Sequence, residues 1–250
     1  MSKPPSRSAG GRAGSGSRMM FETVKTAKKR KPSSTRWLQR QLNDPYVHEA
    51  RKLGYRSRAA FKLIELDDRF HFLERGARVV DLGAAPGGWT QIAVNRVGPK
   101  GKVVGMDILE YDPVPGAICM QGDFLADDSP DRLKAALDGL ADVVVSDMAA
   151  PTTGHPATDH LRIIGLVEVA LHFAMEVLAP NGTFVAKVFQ GGTEKTLLDM
   201  LKRNFTSVRH AKPPASRKES AETYVVAMGF KGVSDQDADW RDDRETNEAE

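Results

Sequence analysis

The chain has 250 residues, 40% of them hydrophobic, which supports one sizeable core flanked by tails. A single cysteine, Cys119, excludes an intrachain disulfide and a cysteine-based metal site, and it suits a reducing compartment such as the cytoplasm. The net charge of +3 is unevenly spread: residues 1–36 hold ten Lys/Arg against Glu22, residues 231–250 hold three against eight acids, and the body between has 23 against 24.

In chain order, residues 1–33 read as a disordered basic arm. Ser, Gly and Pro dominate its first half, and a basic cluster runs from Lys25 to Lys31. It lacks the apolar run of a secretory signal. Its acid-poor, Arg- and Ser-rich start matches an organelle transit peptide in composition, but its Gly and Pro content opposes the amphipathic helix such a peptide needs. A folded domain is expected over 34–230, opening with a basic helical lead-in over 34–73 that breaks at Asn43-Asp44-Pro45 and near Gly54. In that lead-in Arg36, Arg40, Arg51, Lys52, Arg56 and Arg58 precede Lys62, and Trp37, Tyr46 and Tyr55 supply aromatics that either stack on bases or pack inward. On pattern alone, Lys62 reads as a solvated helix lysine.

From 77 to 230 the texture alternates. Strands are expected at Ala77–Asp81, Lys102–Asp107, Ala117–Met120, Asp142–Ser146, Thr183–Phe189, Ser207–Ala211 and Thr223–Phe230. Helices are expected near 88–97, 131–137, 159–178 and 193–203. Near-continuous apolar strands alternating with helices imply an α/β fold: a mostly parallel seven-stranded sheet with helices on both faces. The last two strands lack an intervening helix and should form a terminal antiparallel hairpin. The most apolar run, Leu161 to Leu178, is interrupted by Glu168, His172 and Glu176, so no membrane span is expected. His155 and His160 flank a loop without a completing ligand set, and no metal site is expected. Residues 231–250 read as a disordered acidic tail.

The turn after the first strand is Gly83-Ala84-Ala85-Pro86-Gly87-Gly88. A dinucleotide fingerprint needs glycine where Ala85 stands, and Pro86 removes an N–H that would hold phosphate. No P-loop follows. Acids recur instead at successive strand ends: Asp81, Asp107, Asp123 and Asp147. Carboxylates repel a pyrophosphate and suit a cation that also carries hydroxyls and an amine. S-adenosylmethionine has those features, and Asp107 lies one βαβ unit beyond Asp81, where an acid can take ribose hydroxyls. NAD is the disfavoured alternative.

Asp81-Leu82-Gly83-Ala84-Ala85-Pro86-Gly87-Gly88-Trp89 belongs with four further segments: Arg56–Leu63, Ser146–Ala149, Lys187–Gly191, and Ser216-Arg217 running to Ser220–Tyr224. All five, in this order, resemble the FtsJ/RrmJ family of RNA ribose 2′-O-methyltransferases, over about residues 36–230. The resemblance implies a Rossmann-like methyltransferase fold and a catalytic tetrad at Lys62, Asp147, Lys187 and Glu222. It implies cofactor contacts at Gly83, Gly87, Trp89, Asp107, Asp123 and Asp147. One departure is Met148-Ala149-Ala150-Pro151, where relatives usually place proline directly after the first alanine.

The resemblance further implies S-adenosyl-L-methionine as donor, S-adenosyl-L-homocysteine as product, no metal, and a uridine of large-subunit (23S) ribosomal RNA as acceptor. That acceptor is expected within the large subunit, with the enzyme a cytoplasmic monomer. Lys187 is the expected general base. It interrupts an otherwise apolar strand, and a lysine is almost never fully buried without a partner. Transfer RNA or an mRNA cap is the alternative acceptor, and a catalytically silent RNA-binding protein is the alternative outside enzymes.

Overall fold

The computed structural model describes residues 23, 32–190 and 195–232. The basic cluster at 25–31, most of the basic arm, Gly191-Gly192 and nearly all of the acidic tail lie outside these. By its contacts the chain divides between Val47 and His48, and the second unit contains the whole sheet.

Three lead-in helices are present: α1 (Pro32–Leu42), α2 (Pro45–Leu53) and α3 (Ala60–Phe70). Helix α1 starts two residues before the expected boundary, because proline at a first helical position has no N–H to lose and its φ is already helical. Helix α3 stops where its chain reverses. His71 takes a left-handed conformation and returns its N–H to Asp67 O. The Asp67 carboxylate then accepts the N–H groups of Phe72 and Leu73.

The sheet comprises β1 (Arg78–Leu82), β2 (Lys102–Asp107), β3 (Ile118–Gln121), β4 (Ala141–Ser146), β5 (Leu178–Phe189), β6 (Phe205–Ala211) and β7 (Glu222–Phe230). Its spatial order is β3-β2-β1-β4-β5-β7-β6. The first five strands are parallel, and β7 runs antiparallel between β5 and β6. The mostly parallel sheet and its terminal hairpin are as the sequence predicts. Most boundaries fall within three residues of the expected ones, and the largest difference is at the start of β5. Strand β5 begins at Leu178, which pairs with Ala141, and regular pairing resumes only at Thr183 opposite Val143. The expected Asn181-Gly182 turn is real, with Asn181 at φ 69°, but it forms a bulge inside the strand instead of preceding it.

Strand parity divides the core in two. Val80, Leu82, Val144, Phe184, Ala186, Val188, Val225 and Ala227 face one side. There they meet the inner faces of α5 (Ser129–Leu137), α6 (Pro156–Val177) and α7 (Lys195–Asn204). Val79, Val143, Val145, Val185, Tyr224 and Val226 face the other side, packed against α3 and α4 (Gly88–Val97). Because side chains alternate along a strand, Asp81, Lys187 and Glu222 fall on the α3–α4 side.

Asp81 is fully buried at the end of β1. Thr90 Oγ1 of α4 donates to its Oδ2 at 2.7 Å, while Oδ1 has no hydrogen-bond partner among the described residues. Burial pushes its carboxyl up to about 7, against the Thr90 hydrogen bond. A carboxyl raised on folding stabilises the protein in its protonated form, so its contribution declines as pH rises from about 4 to about 7 and is level above. Asp81→Asn should remove that decline, which is on the order of 4 kcal/mol in total. Chemical denaturation at pH 5 and pH 8 checks this: the variant should gain relative to the parent at the higher pH, and a constant difference between the two would refute it.

Candidate active site

Four elements bring charge to one place. Lys62 comes from the first turn of α3, Asp147 follows β4, Lys187 lies on β5, and Glu222 opens β7. Lys62 and Lys187 are each only 8% exposed. Lys62 Nζ donates to Glu222 Oε2 at 2.8 Å and lies 3.7 Å from Asp147 Oδ2. Lys187 Nζ sits 3.1 Å from Asp147 Oδ1 and donates to the Asp147 carbonyl at 2.6 Å. Asp147 thus lies between the two ammonium groups.

Burial alone would raise the Asp147 carboxyl. Lys187, Lys62 and a hydrogen bond from Tyr224 together outweigh burial and hold it below the ordinary range, so Asp147 is ionised at neutral pH.

A fifth member was not expected from sequence. Tyr224 OH accepts from Lys62 Nζ at 3.1 Å and donates to Asp147 Oδ1 at 2.8 Å. Tyr224 is directly opposite Lys187 in the β5–β7 register and two residues beyond Glu222. The period of two along β7 was the available signal, since it puts Tyr224 on the face of Glu222. Burial, reinforced by Asp147 and Glu222, drives its phenol well above its usual range, so it remains a hydroxyl donor. Ser216 also went unassigned: its Oγ donates to Glu222 Oε1 at 2.7 Å, leaving Oε2 for Lys62.

The expected cofactor residues lie along the carboxyl ends of β1, β2 and β3. Gly83 has φ 78°, and a Cβ there would lie 2.8 Å from Met148 N, so the turn needs glycine on both counts. Gly87 has φ 101° at the N-terminus of α4. Asp107 Oδ2 accepts the Ala85 N–H at 2.9 Å and Oδ1 accepts Leu109 N–H at 2.8 Å. Asp123 is exposed just after β3, with Oδ1 accepting Leu125 N–H at 3.0 Å. The two solvent-accessible carboxylates, beside a turn without a phosphate cradle, suit a hydroxylated cation.

Trp89, directly after the glycine turn, directs its indole inward. Its indole is 3% exposed, with Nε1 donating to Ala59 O at 2.8 Å and the ring packed on Tyr224 at 5.6 Å between centroids. The side chain joins α4 to α3 and to the lysine cluster, which leaves the backbone as the part that faces the turn. The anticipated basic face needs correction. Arg56 directs its guanidinium to the carbonyls of Pro86, Asp112 and Pro113, and Arg58 donates to the carbonyl of Ala215. Tyr55 packs edge-on against Phe61 at 5.6 Å. Arg51 and Lys52 are exposed, and the side chains of Arg36 and Trp37 lie outside the described ones.

A parallel sheet that ends in an antiparallel strand pair, with acids lining its carboxyl edge, defines a Rossmann-like methyltransferase fold. The model of the FtsJ-like methyltransferase family matches residues 55–230, and the chain belongs to that family. It is 76% identical over 238 residues to the ribosomal RNA large subunit methyltransferase E of Paramagnetospirillum magneticum, covering 93% of this chain and 98% of the relative. The protein of the same name from Rhodospirillum rubrum is 63% identical, over 93% of this chain and 90% of its own. Among solved structures, a protein described as a ribosomal RNA methyltransferase of Plasmodium falciparum aligns with a TM-score of 0.64 and 33% identity. That alignment covers 72% of this chain and all of the other.

Tyr224→Phe would strip one hydrogen bond from Asp147 and one acceptor from Lys62 in a buried site. A stability loss of about 1–3 kcal/mol is expected, measurable by urea denaturation, since the change leaves polar groups under-satisfied. A loss below about 0.5 kcal/mol would mean that water replaces the phenol.

Proposed function

We propose that this methyltransferase moves the methyl group of S-adenosyl-L-methionine to the ribose 2′-oxygen of a uridine in large-subunit (23S) ribosomal RNA, releasing S-adenosyl-L-homocysteine. The large ribosomal subunit is the proposed acceptor particle, and the enzyme acts as a cytoplasmic monomer. The observation that carries this reading is the pair of buried lysines joined through Asp147. An acceptor hydroxyl of very low acidity needs a base, and this cluster lies beside the carboxyl edge that suits the donor.

The donor, when bound, supplies an already activated methyl on a cationic sulfur. Asp107 and Asp123 would hold its hydroxyls and base, and Gly83 and Gly87 would let the backbone approach it. The chain's own task is to align and deprotonate the 2′-hydroxyl. Lys187 is the proposed base: its Nζ, an ammonium in the resting cluster, first releases a proton to solvent and then, as the neutral amine, accepts the hydroxyl proton. Asp147 fixes Lys187 through both its carboxylate and its carbonyl. Lys62, held by Glu222 and Tyr224, orients the ribose. Alignment of this kind contributes much of the rate in a reaction of two bound partners. The leaving thioether is neutral, so the chemistry calls for no metal to stabilise it.

Lys187→Ala should reduce methyl transfer to purified large subunits by at least about 10²-fold. Its affinity for S-adenosylmethionine, measured by calorimetry, should stay close to that of the parent. Loss of donor binding would make Lys187 a cofactor or structural residue. With labelled donor, the parent should methylate large subunits in preference to transfer RNA; the reverse preference would overturn the acceptor.

A further inference from the structure

Arg56 lies four residues before α3, where charge alone would offer it to RNA. Its partners point elsewhere. Nη1 donates to Pro86 O at 3.2 Å and also to Asp112 O, while Nη2 donates to Pro113 O at 2.6 Å. Its own N–H donates to Gln91 Oε1 at 2.9 Å, and Gln91 Nε2 donates to Gly54 O at 3.2 Å. Gln91 stands in the first turn of α4, directly beyond the glycine turn. The guanidinium also fills the space beside Gly87, where a Cβ would lie 2.8 Å from Nη1 and 2.9 Å from Val114 Cγ2.

Three carbonyls from two segments therefore converge on one planar cation. Pro86 belongs to the turn after β1; Asp112 and Pro113 belong to the loop after β2. Asp107 stands at the root of that loop, where its Oδ2 accepts the Ala85 N–H and the preceding Met106 carbonyl accepts the N–H groups of Gly83 and Ala84; the loop beyond that root is what Arg56 reaches.

We propose that Arg56 is a positioning residue for the methyl donor: its guanidinium clamps the loop after β2 against the glycine turn and so sets the gap between Asp107 and Gly87. The role rests on the reading of this edge as the S-adenosylmethionine site. It uses the fork geometry of arginine, which presents several donors in a fixed plane; a lysine at 56 has one nitrogen for three acceptors in two segments.

The test compares Arg56→Lys and Arg56→Ala with the parent. Calorimetry with S-adenosylmethionine alone should show binding about tenfold weaker for Arg56→Lys, and at least as weak for Arg56→Ala, matching the loss of one or two hydrogen bonds. KM for the donor should rise in step while kcat stays within about twofold, and affinity for a 23S RNA fragment by fluorescence anisotropy should not change. Amide exchange in Arg56→Lys should quicken over residues 108–116 and not in α6, a readout that holds even if Arg56→Ala fails to fold. Donor affinity within about twofold of the parent overturns the proposal, and a concurrent loss of RNA affinity would make Arg56 an RNA contact. A parent protein that binds no S-adenosylmethionine overturns the reading of the edge itself, and this role with it.

Discussion

The structure depends on the burial of two ammonium groups on one side of a sheet. An isolated charge in a protein interior costs several kcal/mol, and removing one partner from a buried pair typically costs about 3–5 kcal/mol. Lys62 and Lys187 are tolerated because Asp147 is shared between them and Glu222 meets the first. Such a cluster is a poor way to gain stability, since apolar residues of similar volume would serve as well or better. Its presence in an otherwise close-packed core of valine and phenylalanine therefore argues for chemistry over structure. The surrounding residues are committed to holding it. Ser216 fixes one oxygen of Glu222, Tyr224 bridges Lys62 to Asp147, and the Ala215 peptide is gripped at its carbonyl by Arg58, just before α3, and at its N–H by Glu65 of α3.

The four acids at the strand ends share a position in the fold but not a role. Asp81 is sealed from solvent and raised to about 7 by burial, with Thr90 as its one hydrogen-bond donor side chain. Asp147 is less completely buried and has two cationic neighbours and the Tyr224 hydroxyl, and its carboxyl moves the other way. Asp107 and Asp123 remain accessible and organise the loops that follow them through backbone N–H groups. Position along the sheet edge gathers these carboxylates in one place; the side-chain neighbours then decide whether each pairs with a cation, holds a loop or is pushed toward neutrality.

Much of this was legible in the sequence. The parallel sheet followed from apolar runs with helical spacers, the terminal hairpin from the missing helix between β6 and β7, and the buried lysine on β5 from its place between Val185 and Val188. The juxtaposition of the four charged residues came from the family resemblance, since Lys62 by itself is indistinguishable from a surface lysine. What stayed hidden depends on contacts between distant segments. Nothing in the sequence singled out Tyr224 within its segment; the β5–β7 register is what sets it opposite Lys187. The inward packing of the Trp89 indole between α3 and Tyr224 was equally invisible in the sequence. Arg56 and Arg58 counted as positive charge in composition, while their hydrogen bonds go to carbonyls that sequence proximity does not bring near.

These contacts make the donor edge and the lysine cluster parts of one wall. Trp89 sits in the first turn of α4, directly after the glycine turn; its ring packs on Tyr224 and its N–H holds the residue before α3. Tyr224 in turn touches Lys62 and Asp147. A displacement of the glycine turn that moved α4 would therefore press on the phenol and, through it, on both sides of the cluster. Methyl transfer demands that the acceptor oxygen, the methyl carbon and the departing sulfur lie in line. In the proposed reaction, a base and a donor held on independently moving elements would lose that alignment. Here one aromatic pair, buried at the junction of α3, α4 and β7, ties the glycine turn to the lysine cluster.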